Sequence, residues 1–191
     1  MDKKSTKEKP KYDRSWKLAQ QAARNCNKSF TSKVEQARKK EIDISSVFIT
    51  DSLKCSPHFI GCYAEDQLES LKITSFPSFL IVNIDSSQMK GSHWIAIGIF
   101  KDQIEIFDSL GFDIFNWARV PCTLLNFLHN LSVSRKVIVA PCIQSSTSFL
   151  CGFYSIYFVI RRLFSSFSET VNCFNRSNLE HNDVILTEFF K

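Results

Sequence analysis

The chain has 191 residues, of which 44% are hydrophobic and 18 are Phe, enough apolar material for a substantial core in a single globular unit. Its net charge of +5 hides an asymmetry: residues 1–40 carry 13 Lys/Arg against 4 Asp/Glu, and the remainder carries 11 against 15. The uncharged run Phe149 to Ile160 falls well short of the roughly 20 apolar residues of a membrane span, and the N-terminus is charged from its second residue. The composition therefore argues against a membrane helix and a secretory leader, and the expectation is a protein that works inside the cell.

Seven cysteines, at 26, 55, 62, 122, 142, 151 and 173, form an odd set with no C-x-x-C pair. Reduced thiols are expected rather than a disulfide framework. Cys55, His58 and Cys62 come nearest to a metal pattern but have no fourth ligand at a matching spacing, so neither a metal nor a resident cofactor is expected.

Residues 1–13 are polar, are broken by Pro10 and read as disordered. From Asp13 to about Lys40 the composition favours helix, interrupted near Asn25 to Ser32, with few apolar positions to bury. This predicts a basic N-terminal extension over residues 1–41, at best a surface helix, able to meet nucleic acid through phosphate contacts. Apolar residues become dense at Ile42, and the main domain, residues 42–191, is expected to begin there.

Within it the sequence predicts a short helix at Glu65 to Leu71 and a buried strand at Phe79 to Ile84. Trp94 to Phe100 and Gln103 to Phe107 are β-rich runs separated by Lys101-Asp102, which predicts a hairpin. A helix at Cys122 to Leu131 and a strand at Lys136 to Ala140 follow. Cys151 to Phe164 is apolar nearly all round and predicts a central buried helix. The last element, within Asn178 to Lys191, offers Asn182 or Asp183 as its cap.

Thiol chemistry on an amide needs an ionised nucleophile, an imidazole to move the proton, a group to orient the imidazole, and donors for the oxyanion. With a two-residue turn at Lys101-Asp102, facing residues in the hairpin have numbers summing to 203, so Asp108 lies opposite Ile95. His93 shares a face with Ile95, which makes Asp108 its diagonal neighbour at roughly 7 Å by strand geometry. Cys151 begins the buried helix, where unpaired amides and the helix dipole acidify a thiol. Its own N–H and the side-chain amide of Gln144, in the polar run QSSTSF, are the candidate oxyanion donors. Gly152 leaves room for an approaching substrate, and Trp94 is placed to lie against the imidazolium. Each residue has a duller reading alone: a packed histidine, a turn-forming Asp108, a core thiol. Their joint occurrence favours the catalytic one.

The segments GSHWIAIGIF, EIFDSLGF and IQSSTSFLCGFYSIYFVI resemble the adenovirus-type cysteine protease family, above all its relatives from Maverick/Polinton elements and adintovirus-like viruses. FIGCYAEDQLESL, PSFLIVNIDSSQMKGSHW and LEHNDVILTEFF extend the likeness over about residues 58–191, leaving the basic head unmatched. The resemblance implies an α+β, permuted papain-like fold with a central mixed sheet against a buried helix that starts at the nucleophilic cysteine. It implies His93 as base, Asp108 as orienting acid, Gln144 as oxyanion donor and Cys151 as nucleophile. It also implies a monomer that cuts viral or element-encoded precursor proteins during capsid maturation, in the host nucleus or virion, with DNA or a peptide as activator. The ubiquitin-like-protein proteases share the residue order and make an isopeptidase the competing activity. A catalytically silent DNA- or capsid-associated protein is the reading from a different class. Two departures stand out. Adenovirus enzymes have Glu where this chain has Asp108, and the cysteine that attaches their activating peptide aligns near Val133, which puts that disulfide in doubt.

Overall fold

A computed structural model describes residues 13–40, 44–115 and 120–191. The element order is α1 (Arg14–Cys26), α2 (Phe30–Arg38), α3 (Ser46–Leu53), β1 (Phe59–Ala64), β2 (Ser78–Asn83), β3 (Trp94–Ile99), β4 (Gln103–Phe107), α4 (Cys122–Ser132), β5 (Lys136–Val139), α5 (Cys151–Arg162), α6 (Phe167–Val171) and α7 (Leu179–Phe189). The strands form one sheet in the order β1-β2-β3-β4-β5. The outer pairs β1/β2 and β4/β5 are parallel, and the inner pairs are antiparallel. The protein is thus α+β, with a mixed sheet packed on a buried helix that begins at Cys151. No helix of the described residues is long and apolar enough to cross a membrane.

Both faces of the sheet are covered, and strand alternation decides which residue goes where. Phe79, Ile81, Trp94, Ala96 and Phe107 face α5, whereas Leu80, Val82, Ile95, Ile97, Ile104 and Ile106 face the side covered by Leu124, Phe127 and Leu128 of α4. Phe107 stacks on Phe158 at 4.6 Å between ring centres, fixing α5 to the middle of the sheet. Glu105 shares the α5 face with Phe107, and this fully buried carboxylate takes a bidentate bond from Arg162 at 2.6 and 2.8 Å. The β3/β4 register pairs Ala96 with Phe107, Ile97 with Ile106, Gly98 with Glu105 and Ile99 with Ile104, the expected hairpin.

The N-terminal helices depart from the surface-extension reading. Trp16, Ala19 and Ala23 of α1 and Phe30, Val34 and Ala37 of α2 are buried in the same core as α5. Trp16 packs edge-on to Phe189 at 5.2 Å and against Tyr157 at 6.1 Å. The physical reason is a narrow stripe at helical spacing, whose alanines permit close approach while their low hydrophobicity hides the pattern. Asp13 caps α1 by accepting from the Trp16 N–H at 2.8 Å. Residues 1–12, expected to be disordered, and 41–43, where the domain boundary was placed, lie outside the described residues.

Smaller differences follow from tertiary demands. The helix expected at Glu65 to Leu71 shrinks to a single 3₁₀ turn, Glu65–Gln67, because this segment must cross between two parallel strands with Leu68 as its buried anchor. Strand β1 and helices α3 and α6 are additional elements. The cap of α7 is Asn178, which accepts from the His181 N–H, and not Asn182 or Asp183. Asn182 is inside the helix and fully buried.

Candidate active site

The topology brings three chain segments to one end of the sheet. His93 immediately precedes β3, Asp108 immediately follows β4, and in an antiparallel pair those two ends coincide. Strand β5 runs parallel to β4, so its exit reaches the same end: the Ala140 N–H donates to the Ile106 carbonyl, and the Ile143 and Gln144 N–H groups both donate to the Ser109 carbonyl. The chain then turns into α5, whose first residue is Cys151.

His93 Nε2–H donates to Asp108 Oδ1 at 2.8 Å, with His93 only 5% and Asp108 1% exposed. A carboxylate only accepts, so this contact assigns the proton to Nε2 and leaves Nδ1 for the other side of the ring. The same ring also interacts with the Cys151 thiol. Burial alone would push the His93 pKa down, but the hydrogen bonds and charges of Asp108 and Cys151 outweigh it and raise it to about 10. The charged form of His93 is thus favoured, with the ring seated between a carboxylate and a half-buried thiol.

Asp108 fills the turn-forming role that is the alternative to catalysis at this position. Its Oδ1 accepts from the Leu110 N–H at 2.9 Å, and its carbonyl accepts from the Gly111 N–H at 3.0 Å. Gly111 has φ +68°, and a Cβ there would sit 2.6 Å from Cys142 Cα. Only glycine lets the turn after β4 lie against the loop that carries Gln144.

Gln144 is 1% exposed and its amide is fixed at both ends. Nε2 donates to the Ser148 carbonyl at 2.9 Å, so Oε1 faces Ser109 and accepts its hydroxyl hydrogen at 2.5 Å. One N–H of the amide remains beyond these bonds. The structure thus joins His93, Asp108 and Cys151 directly, and Gln144 through Ser109, the neighbour of Asp108. Ser109 and Ser148 escaped the sequence reading. The only trace of Ser109 was its place in the turn sequence DSLG, and Ser148 lay unremarked in QSSTSF.

Two expectations change. The ring against His93 is that of Phe112, edge-on at 5.9 Å, while Trp94 points to the α5 side of the sheet and is part of that core. A Cβ at Gly152 would meet Ile44 Cγ2 at 2.4 Å and Trp94 Cδ1 at 3.2 Å. Gly152 therefore serves the close packing of α5 on β3 and not open space for a substrate, because the helix start must approach the strand to bring the thiol to His93. Two residues before Cys151 in the chain, Phe149 is 54% exposed and carries the Lys40 ammonium 4.6 Å above its ring.

Burial pushes Cys62 up to about 12 and Cys173 to about 11, and it also raises Cys26 and Cys142. Among the described residues no group of three or more His, Cys, Asp or Glu could hold a metal ion.

No protein-family model and no curated protein matches the chain. Among solved structures it is similar to the ASFV protease, at 16% identity and a TM-score of 0.48, over 74% of this chain and 62% of that one. It is also similar to the SUMO protease Ulp1, at 16% identity and a TM-score of 0.42, over 95% and 98% of the two chains. A third is AvrA in a structure with IP6 and CoA, at 18% identity and a TM-score of 0.43, over 83% and 65%. The chain spans less than two thirds of the length of the ASFV protease.

Proposed function

We propose that the protein is a cysteine endopeptidase in which Cys151 is the nucleophile, His93 the acid–base group, Asp108 its orienting acid, and Gln144 with the Cys151 N–H the oxyanion donors. The observation that carries this reading is the buried imidazole held at 2.8 Å by Asp108 on one side and facing the helix-starting thiol on the other. The Cys151 sulfur attacks the scissile carbonyl carbon as its thiolate, paired with the His93 imidazolium. The carbonyl oxygen takes up the negative charge and the two N–H donors stabilise it. As the C–N bond breaks, His93 gives its proton to the leaving amine. Water then attacks the thioester as His93 takes a proton from it, and collapse releases the Cys151 thiolate with a carboxylic acid product, restoring the thiolate–imidazolium pair.

The sequence resemblance supports viral or element-encoded precursor proteins as substrates, processed during capsid maturation. Phe149 offers an exposed apolar surface two residues before the nucleophile, suited to a protein side chain. Nucleic acid as a partner is supported by Arg14, Lys17, Arg24, Lys28, Arg38, Lys39 and Lys40, all exposed on or beside α1 and α2. The test is cleavage of Gly-rich precursor peptides beside labelling by a ubiquitin-vinyl probe. Peptide turnover abolished by Cys151→Ala is the expected result. Rapid probe labelling with the peptides ignored would move the substrate to ubiquitin-like conjugates, and turnover insensitive to Cys151→Ala would refute the nucleophile.

A further inference from the structure

Gln144 sits in a loop between β5 and α5 that has no regular structure and is exposed at Ser146, Thr147 and Phe149. An oxyanion donor must be held still, because catalysis by a preorganised dipole depends on its not reorienting as charge develops. The hold comes from α7, more than 30 residues further along the chain. Asp183 Oδ1 accepts the Ser148 hydroxyl at 3.0 Å and the Tyr154 hydroxyl at 2.9 Å. Ser148 is the residue whose carbonyl takes the Gln144 Nε2–H, and its N–H closes a turn on the Ser145 carbonyl at 2.9 Å. On the other side of Gln144, the adjacent helix residue Asn182 donates to the Ile143 carbonyl at 2.7 Å. Tyr154 is fully buried on the first turn of α5, so the Asp183 carboxylate ties the loop to the helix that begins with the thiol.

We propose that Asp183 is a positioning residue for the Gln144 amide, acting through Ser148. An acceptor-only oxygen suits this place because two hydroxyls point at it and both must donate. With Ser109 holding Oε1, the Ser148 carbonyl holding one N–H, and Asp183 holding Ser148, the remaining N–H of Gln144 keeps a single direction. This inference rests on the cysteine-peptidase reading for the purpose of the amide and on the structure alone for its fixation.

The test uses the full chain with Asp183→Ala, Asp183→Asn and Ser148→Ala. Side-chain amide exchange of Gln144, followed by ¹⁵N NMR and assigned with Gln144→Ala, reads the positioning without any turnover. Exchange is expected to be several-fold faster in Asp183→Ala and Ser148→Ala, and close to wild type in Asp183→Asn, which keeps an oxygen acceptor. With a cleavable peptide, kcat is expected to fall roughly 10- to 100-fold in Asp183→Ala, the scale of an ångström-sized misplacement, with KM unchanged. The rate of Cys151 alkylation by iodoacetamide, a displacement that forms no oxyanion, is expected to stay at the wild-type value. Unchanged Gln144 exchange in both alanine variants would overturn the proposal, as would alkylation falling in step with kcat. If the wild type cleaves nothing while Gln144 exchange still responds to Asp183→Ala, the positioning stands and the peptidase reading fails.

Discussion

Replacing Asp108 by Asn keeps the shape of the side chain and removes its charge, and the consequence falls on His93. The rise of that imidazole from 6.5 to about 10 corresponds to roughly 5 kcal/mol in favour of the charged form, net of the burial that opposes it. Both Asp108 and Cys151 contribute, so the variant loses a large share while the burial cost stays. The His93 pKa in Asp108→Asn is therefore expected to drop by several units, and turnover at neutral pH to fall roughly 10²- to 10⁴-fold with the loss of a positioned acid–base group. A sign follows for stability. His93 has a folded pKa above its unfolded one, so its contribution is complete below about pH 6.5 and is lost as the pH rises through about 10. Histidine ring shifts recorded by NMR across pH 5 to 11, beside urea unfolding at the same pH values, measure both effects. An Asp108→Asn protein in which His93 still titrates near 10 would refute the coupling.

Other expectations concern the scaffold. Trp16→Ala should cost about 3–5 kcal/mol in urea denaturation, the usual range for emptying a buried aromatic site. Deleting residues 1–40 removes Trp16, Phe30 and Val34 together and should abolish cooperative unfolding, since a domain holds only about 5–15 kcal/mol in total. Glu105→Gln leaves the Arg162 guanidinium buried without its carboxylate and should destabilise by about 3–5 kcal/mol, read from the denaturation midpoint. Gly111→Ala forces a side chain onto the Cys142 backbone at positive φ, with an expected cost of about 1–3 kcal/mol and a fall in kcat as the Gln144 loop is displaced.

What the sequence made legible was local. A two-residue turn fixes the β3/β4 register, and that register alone carries His93 and Asp108 to the same end of the sheet. The apolar run from Phe153 to Ile160, broken by Ser155 alone, announces a buried helix, which leaves Cys151 at its start. What stayed hidden depends on contacts between distant segments. Ala19 and Ala23 read as weakly apolar, yet they are the residues that let α1 approach the core. Glu105 alternates with Ile104 and Ile106 as an exposed strand residue would, and only the position of Arg162 explains a carboxylate in the core. Asn182 has the chemistry of a cap but is consumed by the Ile143 and Asn175 backbone. Ser109 and Ser148 matter through what they hold: Ser109 is 35 residues from Gln144 in the chain, and Ser148, four residues away, has its hydroxyl bound by Asp183 of α7.

The most direct measurement of the central claim is intact-mass spectrometry of the wild type acid-quenched during peptide turnover, with peptide mapping of the modified segment. A thioester of the N-terminal substrate fragment is expected on Cys151 and is expected to be absent from Cys151→Ala, which should also be inactive. An adduct on any other residue, or cleavage by Cys151→Ala at the wild-type rate, would contradict it.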